Sequence, residues 1–263
     1  MMLFDPEFAA AGLRGLSVAL FVGGVVYVME RTRPFIGGIV LALPIVVGPS
    51  YFFLNLQQDA DFMRQAIVVA LGMIGAVLCF LTAYIRLIGR QAAPVALLGA
   101  LLAWLLAALI VRYLPPELPW MLGFALAAAL LAWLANRGVV QLAGNGSSSK
   151  PSPGYDVALR GLCAGLLVAL VTLLANRLGP LGSGLLATFP VALTVVCLFL
   201  LRRFDRFTAR AALASTQIGL SSHAAFFITL LALPGLAAGW RFAAASLASA
   251  AWAAGLALAR RRG

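Results

Sequence analysis

The chain has 263 residues, of which 63% are hydrophobic and 10% charged, with a mean hydropathy of +1.03. Soluble domains run at roughly 45–50% apolar and about 25% charged, so a water-soluble globule is excluded. The net charge of +11 comes from basic residues set singly or in small groups at the ends of apolar runs. That pattern lacks the basic, aromatic-lined groove a nucleic acid needs and points to lipid headgroups and the membrane potential as partners.

Apolar runs near the ~20 residues that cross about 30 Å of hydrocarbon recur along the chain. In order they predict nine spans, at about 12–29, 35–54, 64–85, 92–111, 119–136, 158–175, 180–201, 210–232 and 236–259. The first follows Asp5 and Glu7, where a secretory signal carries basic residues, so it is expected to remain as a span. The second holds Pro44 and Pro49 and the seventh Pro190, so each is expected to be broken or re-entrant. After the fifth, residues 143–156 (AGNGSSSKPSPGYD) read as a flexible linker. The eighth contains Ser215, Thr216 and Gln217, then Ser221, Ser222 and His223. At a helical repeat Ser215, Ser222 and Thr229 share one stripe, flanked by Thr216 and His223, and this stripe is expected to face the bundle interior.

With nine spans, fourteen of the 19 Lys and Arg residues fall on one side and five on the other. Short basic loops stay cytoplasmic, which predicts a bacterial inner-membrane protein with a periplasmic N-terminus and a cytoplasmic C-terminus.

A shift of 146 residues aligns 14–54 with 160–200 without a gap, at twelve identities in 41 pairs. The identities include Arg31 with Arg177, Pro34 with Pro180, Gly38 with Gly184 and Pro44 with Pro190, and Asp59 falls on Asp205 in the same register. Residues 1–112 and 158–263 then form two four-helix repeats, joined by a linking helix and linker over 113–157. The odd span between them inverts the second repeat. The loop NLQQDADFMR is slightly acidic and its counterpart RRFDRFTAR strongly basic, as opposite membrane faces require. The expected fold is an all-α integral membrane bundle of about nine transmembrane helices, in two inverted-topology four-helix repeats plus a linking helix.

Gly/Pro-interrupted segments at matching places in inverted halves often mark a transporter's binding site. The candidate substrate-binding residues are therefore Gly38, Pro44, Pro49 and Ser50 of the first half and Gly184, Thr188, Pro190 and Thr194 of the second, with Ser215, Thr216, Gln217, Ser222 and His223. The alternatives are helix packing for the prolines and glycines, and interhelical hydrogen bonding for the stripe. All eight acidic residues lie at or beyond span ends, which disfavours a buried-carboxylate proton pump. Cys79, Cys163 and Cys197 sit apart in apolar runs as small hydrophobes. No catalytic residue, metal or cofactor is expected. Arg241 is expected to be a snorkelling interfacial residue.

The element from Arg177 to Val195, RLGPLGSGLLATFPVALTV, with Arg177, Gly184 and Pro190, and its diverged copy from Arg31 to Pro49 resemble the GlpM-like small bacterial inner-membrane proteins. The resemblance implies that each half corresponds to one four-helix unit of that family and that such units pair, which also makes a homodimer a candidate assembly. It implies no reaction. The expected function is movement of a small solute or lipid-derived molecule; the alternative is a scaffold or assembly factor that binds partner helices.

Overall fold

The computed structural model describes residues 59–142, 189–201 and 204–262, with single residues between 12 and 55 and between 158 and 166. Seven helices lie in the described residues: α1 (Ala60–Leu87), α2 (Ala93–Tyr113), α3 (Leu118–Leu142), α4 (Val191–Leu200), α5 (Arg206–Gly219), α6 (Ser221–Ala232) and α7 (Ala238–Arg262). Four stretches, Ala60–Leu87, Ala93–Tyr113, Leu118–Val139 and Ala238–Ala259, are long and apolar enough to cross a membrane. They coincide with the third, fourth, fifth and ninth predicted spans. Most of the first, second and sixth lies outside the described residues, as does the linker; the described residues of those three spans are helical apart from Leu43 and Pro44.

The central helix is α1. Asp59 caps it, its carboxylate accepting from the Phe62 amide at 2.8 Å. Asp61 in the first turn and Arg86 in the last complement the helix dipole. Met63, Ile67, Leu71, Phe80, Leu81, Tyr84 and Ile85 are fully buried along it. Two glycines let α3 approach closely: a Cβ on Gly75 would lie 2.8 Å from the Phe124 ring and 3.3 Å from the Ala125 backbone, and one on Gly72 would lie 2.5 Å from the Met121 sulfur. Small residues at such crossings are how membrane helices gain van der Waals contact.

The outward faces are apolar. Leu98, Leu102, Leu106 and Ile110 of α2 are exposed at helical spacing, as are Leu126, Leu130 and Trp133 of α3. In water this surface is untenable; in a bilayer it is the face the solvent demands. Tyr113 and Trp120 are exposed at one end of the α2–α3 pair. At the other end of α3 the Arg137 guanidinium sits 5.7 Å from the Trp133 ring. Aromatic side chains at span ends suit the headgroup boundary.

The eighth predicted span is two helices in succession. α5 ends at Gly219, and after Leu220 α6 begins at Ser221. The Ser215 and Thr216 hydroxyls donate to the Ala212 carbonyl and that of Ser221 to Ile218, while the His223 amide pairs with Leu220, a three-residue step. Back-bonding hydroxyls and a tightened turn are known causes of such breaks.

The α5–α6 run passes α1 head to tail. Arg210 near its start donates through Nε to the Ile85 carbonyl at 3.0 Å, and Gln217 reaches Thr82 at 2.8 Å. Near the other end, Tyr51 donates to the Ala66 carbonyl of α1 while its ring packs edge-on against Phe227 of α6, centroids 5.2 Å apart.

The two proline-bearing elements are buried on opposite partners. Pro190 precedes α4; Phe189 packs edge-on against Trp104 of α2 at 5.3 Å, and the Cys197 carbonyl of α4 accepts from the Tyr84 hydroxyl of α1 at 2.7 Å. Around Pro44, Ile39 clusters with Ala211 of α5 and Ala253 of α7, with Leu43 packed against them. Phe52 packs edge-on against Phe242 of α7 at 5.4 Å. Near the chain start, a Cβ on Gly161 would lie 2.5 Å from the Ala19 carbonyl, so glycine brings the first and sixth predicted spans into contact.

Candidate functional site

Three polar side chains inside the bundle meet where α1, α3 and α5 come together. Gln217 of α5 donates through Nε2 to the Thr82 hydroxyl of α1 at 2.8 Å, and its Oε1 accepts from Asn136 Nδ2 of α3 at 3.1 Å. Thr82 passes its own proton to the Leu78 carbonyl at 2.7 Å. Asn136 is 1% exposed, and its Oδ1 has no hydrogen-bond partner. A buried carbonyl without a donor costs about 1–3 kcal/mol, so this oxygen is the open acceptor of the cluster.

This cluster sits one helical turn below the end of α1. Thr82 precedes Arg86 by four residues, roughly 6 Å along the axis. Arg210, on the Ile85 carbonyl, closes the same end. The polar side chains thus lie near one end of the apolar run of α1 and not at its middle.

The predicted residues divide by place. Gln217 is in the cluster. Ser215, Thr216 and Ser222 are buried, and the hydroxyls of Ser215 and Thr216 are turned onto their own helix. The half-buried Thr229 does the same to Ala225 at 2.7 Å, and His223 is half-buried on α6. Pro44 and Pro190 are both buried and both outside helix. Thr194 donates to the Pro190 carbonyl at 2.9 Å, using one acceptor in a stretch where proline supplies no amide. Gly38, Pro49, Ser50, Gly184 and Thr188 lie outside the described residues. Arg241, expected at the interface, clamps the Leu230 carbonyl of α6 through Nε and a terminal nitrogen at 2.9 and 2.7 Å.

Thr82 and Asn136 were not singled out by the sequence. Each is one polar residue in an apolar run, and Asn136 stands beside Arg137, which marks it as a span end. A second orphan lies near the Pro190 element: the Trp104 indole N–H is buried without an acceptor. Among the described residues no group of three or more His, Cys, Asp or Glu side chains could hold a metal.

No protein family, curated protein or solved structure matches this chain.

Proposed function

We propose that the protein is a transporter-like inner-membrane protein in which two inverted four-helix repeats handle a small solute or lipid-derived molecule at their seam. The observation that carries this reading is the antiparallel passage of α1 and α5–α6. Their first residues, Ala60 and Arg206, are 146 apart (206 − 60), the offset of the sequence alignment. The capping acids Asp59 and Asp205 differ by the same 146 (205 − 59). Helices with common ancestry that run in opposite directions are what inversion in a membrane means.

The packing of the proline elements supports the same reading. The Pro190 element of the second half lies against α1 and α2 of the first, and the Pro44 element of the first against α5 and α7 of the second. Such reciprocal burial fits a twofold relation.

The polar stripe breaks that symmetry. Ser215, Thr216, Gln217, Ser222 and His223 correspond at the 146 offset to Val69, Ala70, Leu71, Ala76 and Val77. Polarity carried by one copy only, against the demands of the bilayer, argues for a use beyond the fold. With Gln217 satisfied by Thr82 and Asn136, the Asn136 carbonyl is the group through which a substrate would bond.

Single cysteines at Pro44, Pro190, Gln217 and His223, in a chain lacking Cys79, Cys163 and Cys197, provide the test. Reaction with a membrane-impermeant thiol reagent from at least one side is expected at Gln217 and His223. No reaction at any of the four from either side would count against transport.

One observation favours the second reading, a scaffold that binds partner helices. The Ser215 and Thr216 hydroxyls, at 0% and 1% exposure, bond their own helix and face no opening. A scaffold keeps that interior dry in every state, whereas a transporter wets part of it in one of them.

A further inference from the structure

The end of α1 that lies above the polar cluster gathers positive charge. Arg86 and Arg90 come from the last turn of α1 and the turn after it, and Arg210 reaches over from α5. With Gly89 they line a cavity of about 310 Å³, and among the described residues no carboxylate lines it. The nearest acid in sequence to Arg210, Asp205, is committed to its helix: its oxygens accept from the Phe207 and Thr208 amides and the Thr208 hydroxyl.

The place is built for the guanidinium. A Cβ on Gly89 would lie 3.2 Å from a terminal nitrogen of Arg210 and 3.3 Å from its Cζ, so the glycine leaves room for Arg210 to lie against the backbone. The bond from Nε to Ile85 fixes the side chain and ties it to the negative end of the α1 dipole, leaving the two terminal nitrogens free to donate. Three guanidiniums without a counter-charge repel one another, and the group that relieves them is an anion with several oxygens, which planar guanidiniums bind in forks.

The sequence does not repeat this arrangement in the other half. At the 146 offset the equivalents of Arg210, Arg86 and Arg90 are Arg64 (210 − 146), Ala232 (86 + 146) and Leu236 (90 + 146). One arginine remains of three. The cluster belongs to one membrane face and is not a by-product of duplication.

We propose that the cavity of Arg86, Gly89, Arg90 and Arg210 is a phosphate-binding site at the headgroup level, filled by the phosphate of an anionic lipid or by a free phosphate or diphosphate. It stands whether or not the protein transports; if it does, the site names a phosphate-bearing substrate class.

Native mass spectrometry of the full chain in a neutral detergent tests it, with phosphatidic acid, diacylglycerol of the same acyl chains, and pyrophosphate as probes. Phosphatidic acid is expected to bind and diacylglycerol not. Displacement of the lipid by pyrophosphate would identify a site open to free phosphates, and its failure a site for lipid headgroups. Arg86→Gln with Arg90→Gln, both exposed, is expected to weaken binding about tenfold or more, since each guanidinium lost removes charge-assisted hydrogen bonds to the anion. Gly89→Val keeps all three charges but crowds Arg210, and is expected to weaken binding as well. Arg112→Gln, at the far end of α2, is expected to leave it unchanged. The proposal is overturned if neither phosphate probe binds, if the double variant binds as wild type, if Arg112→Gln is as damaging, or if Gly89→Val has no effect, which would mean adsorption to charge without a built site.

Discussion

Gln217 joins three helices through two hydrogen bonds, and its removal strands both neighbours. Gln217→Leu is expected to lower stability by about 1–3 kcal/mol, read as a fall in Tm in detergent, because the Asn136 amide group is then left without its bonded partner in a buried site. Asp205 works outside the membrane-spanning run. The Thr208 hydroxyl, then the Thr208 and Phe207 amides, hold its carboxyl below the ordinary carboxylate value. A carboxylate that titrates lower in the native chain than in the unfolded one stabilises fully above the ordinary range, and that contribution fades as the pH falls through the native value. Asp205→Ala is expected to cost about 1 kcal/mol at neutral pH, as loss of an N-cap does, and much less in acid; thermal melts of both proteins across that range check the sign. At this scale the sequence was half legible. Gln217 stood out within a polar stripe, but Thr82 and Asn136 needed the fold to bring them to it.

Between elements, contact is set by what the helices omit. Gly72 and Gly75 place α3 on α1, and the distances to Met121 and Phe124 leave little room for a methyl group. Gly75→Leu is expected to force the pair apart, losing about 1–3 kcal/mol or more as overpacking does, with earlier thermal unfolding or proteolysis in the 114–117 turn as the readout. The four helices long and apolar enough to cross a membrane, α1, α2, α3 and α7, were legible from hydropathy alone, because a bilayer leaves backbone little choice but helix. The interruption at Leu220 was not. It arises from hydroxyls bonding carbonyls of their own helix, and a hydropathy pattern registers only that serine and threonine are present.

For the whole molecule, the recurring frame of Arg31, Pro34, Gly38 and Pro44 with Arg177, Pro180, Gly184 and Pro190 is visible in the sequence, and the expectation of inversion rests on loop charge. Which helices each proline element packs against is not, since no periodicity encodes it. The arrangement makes a topological prediction. Gln91, just past α1, and Gly235, between α6 and α7, lie beyond the ends of helices that pass each other head to tail. Single cysteines there are expected to react with an impermeant reagent from opposite faces of sealed vesicles; labelling from one shared face would rule out the inverted arrangement. The reciprocal packing also bears on biosynthesis. A nascent chain that has reached only residue 142 presents Tyr84 and Trp104 without Cys197 and Phe189, their partners some 85 to 113 positions later. Contacts at that separation in sequence form late. The ribosome therefore delivers the first helices as an unfinished assembly, and quality-control proteases and insertases meet it in that condition until the last helices emerge.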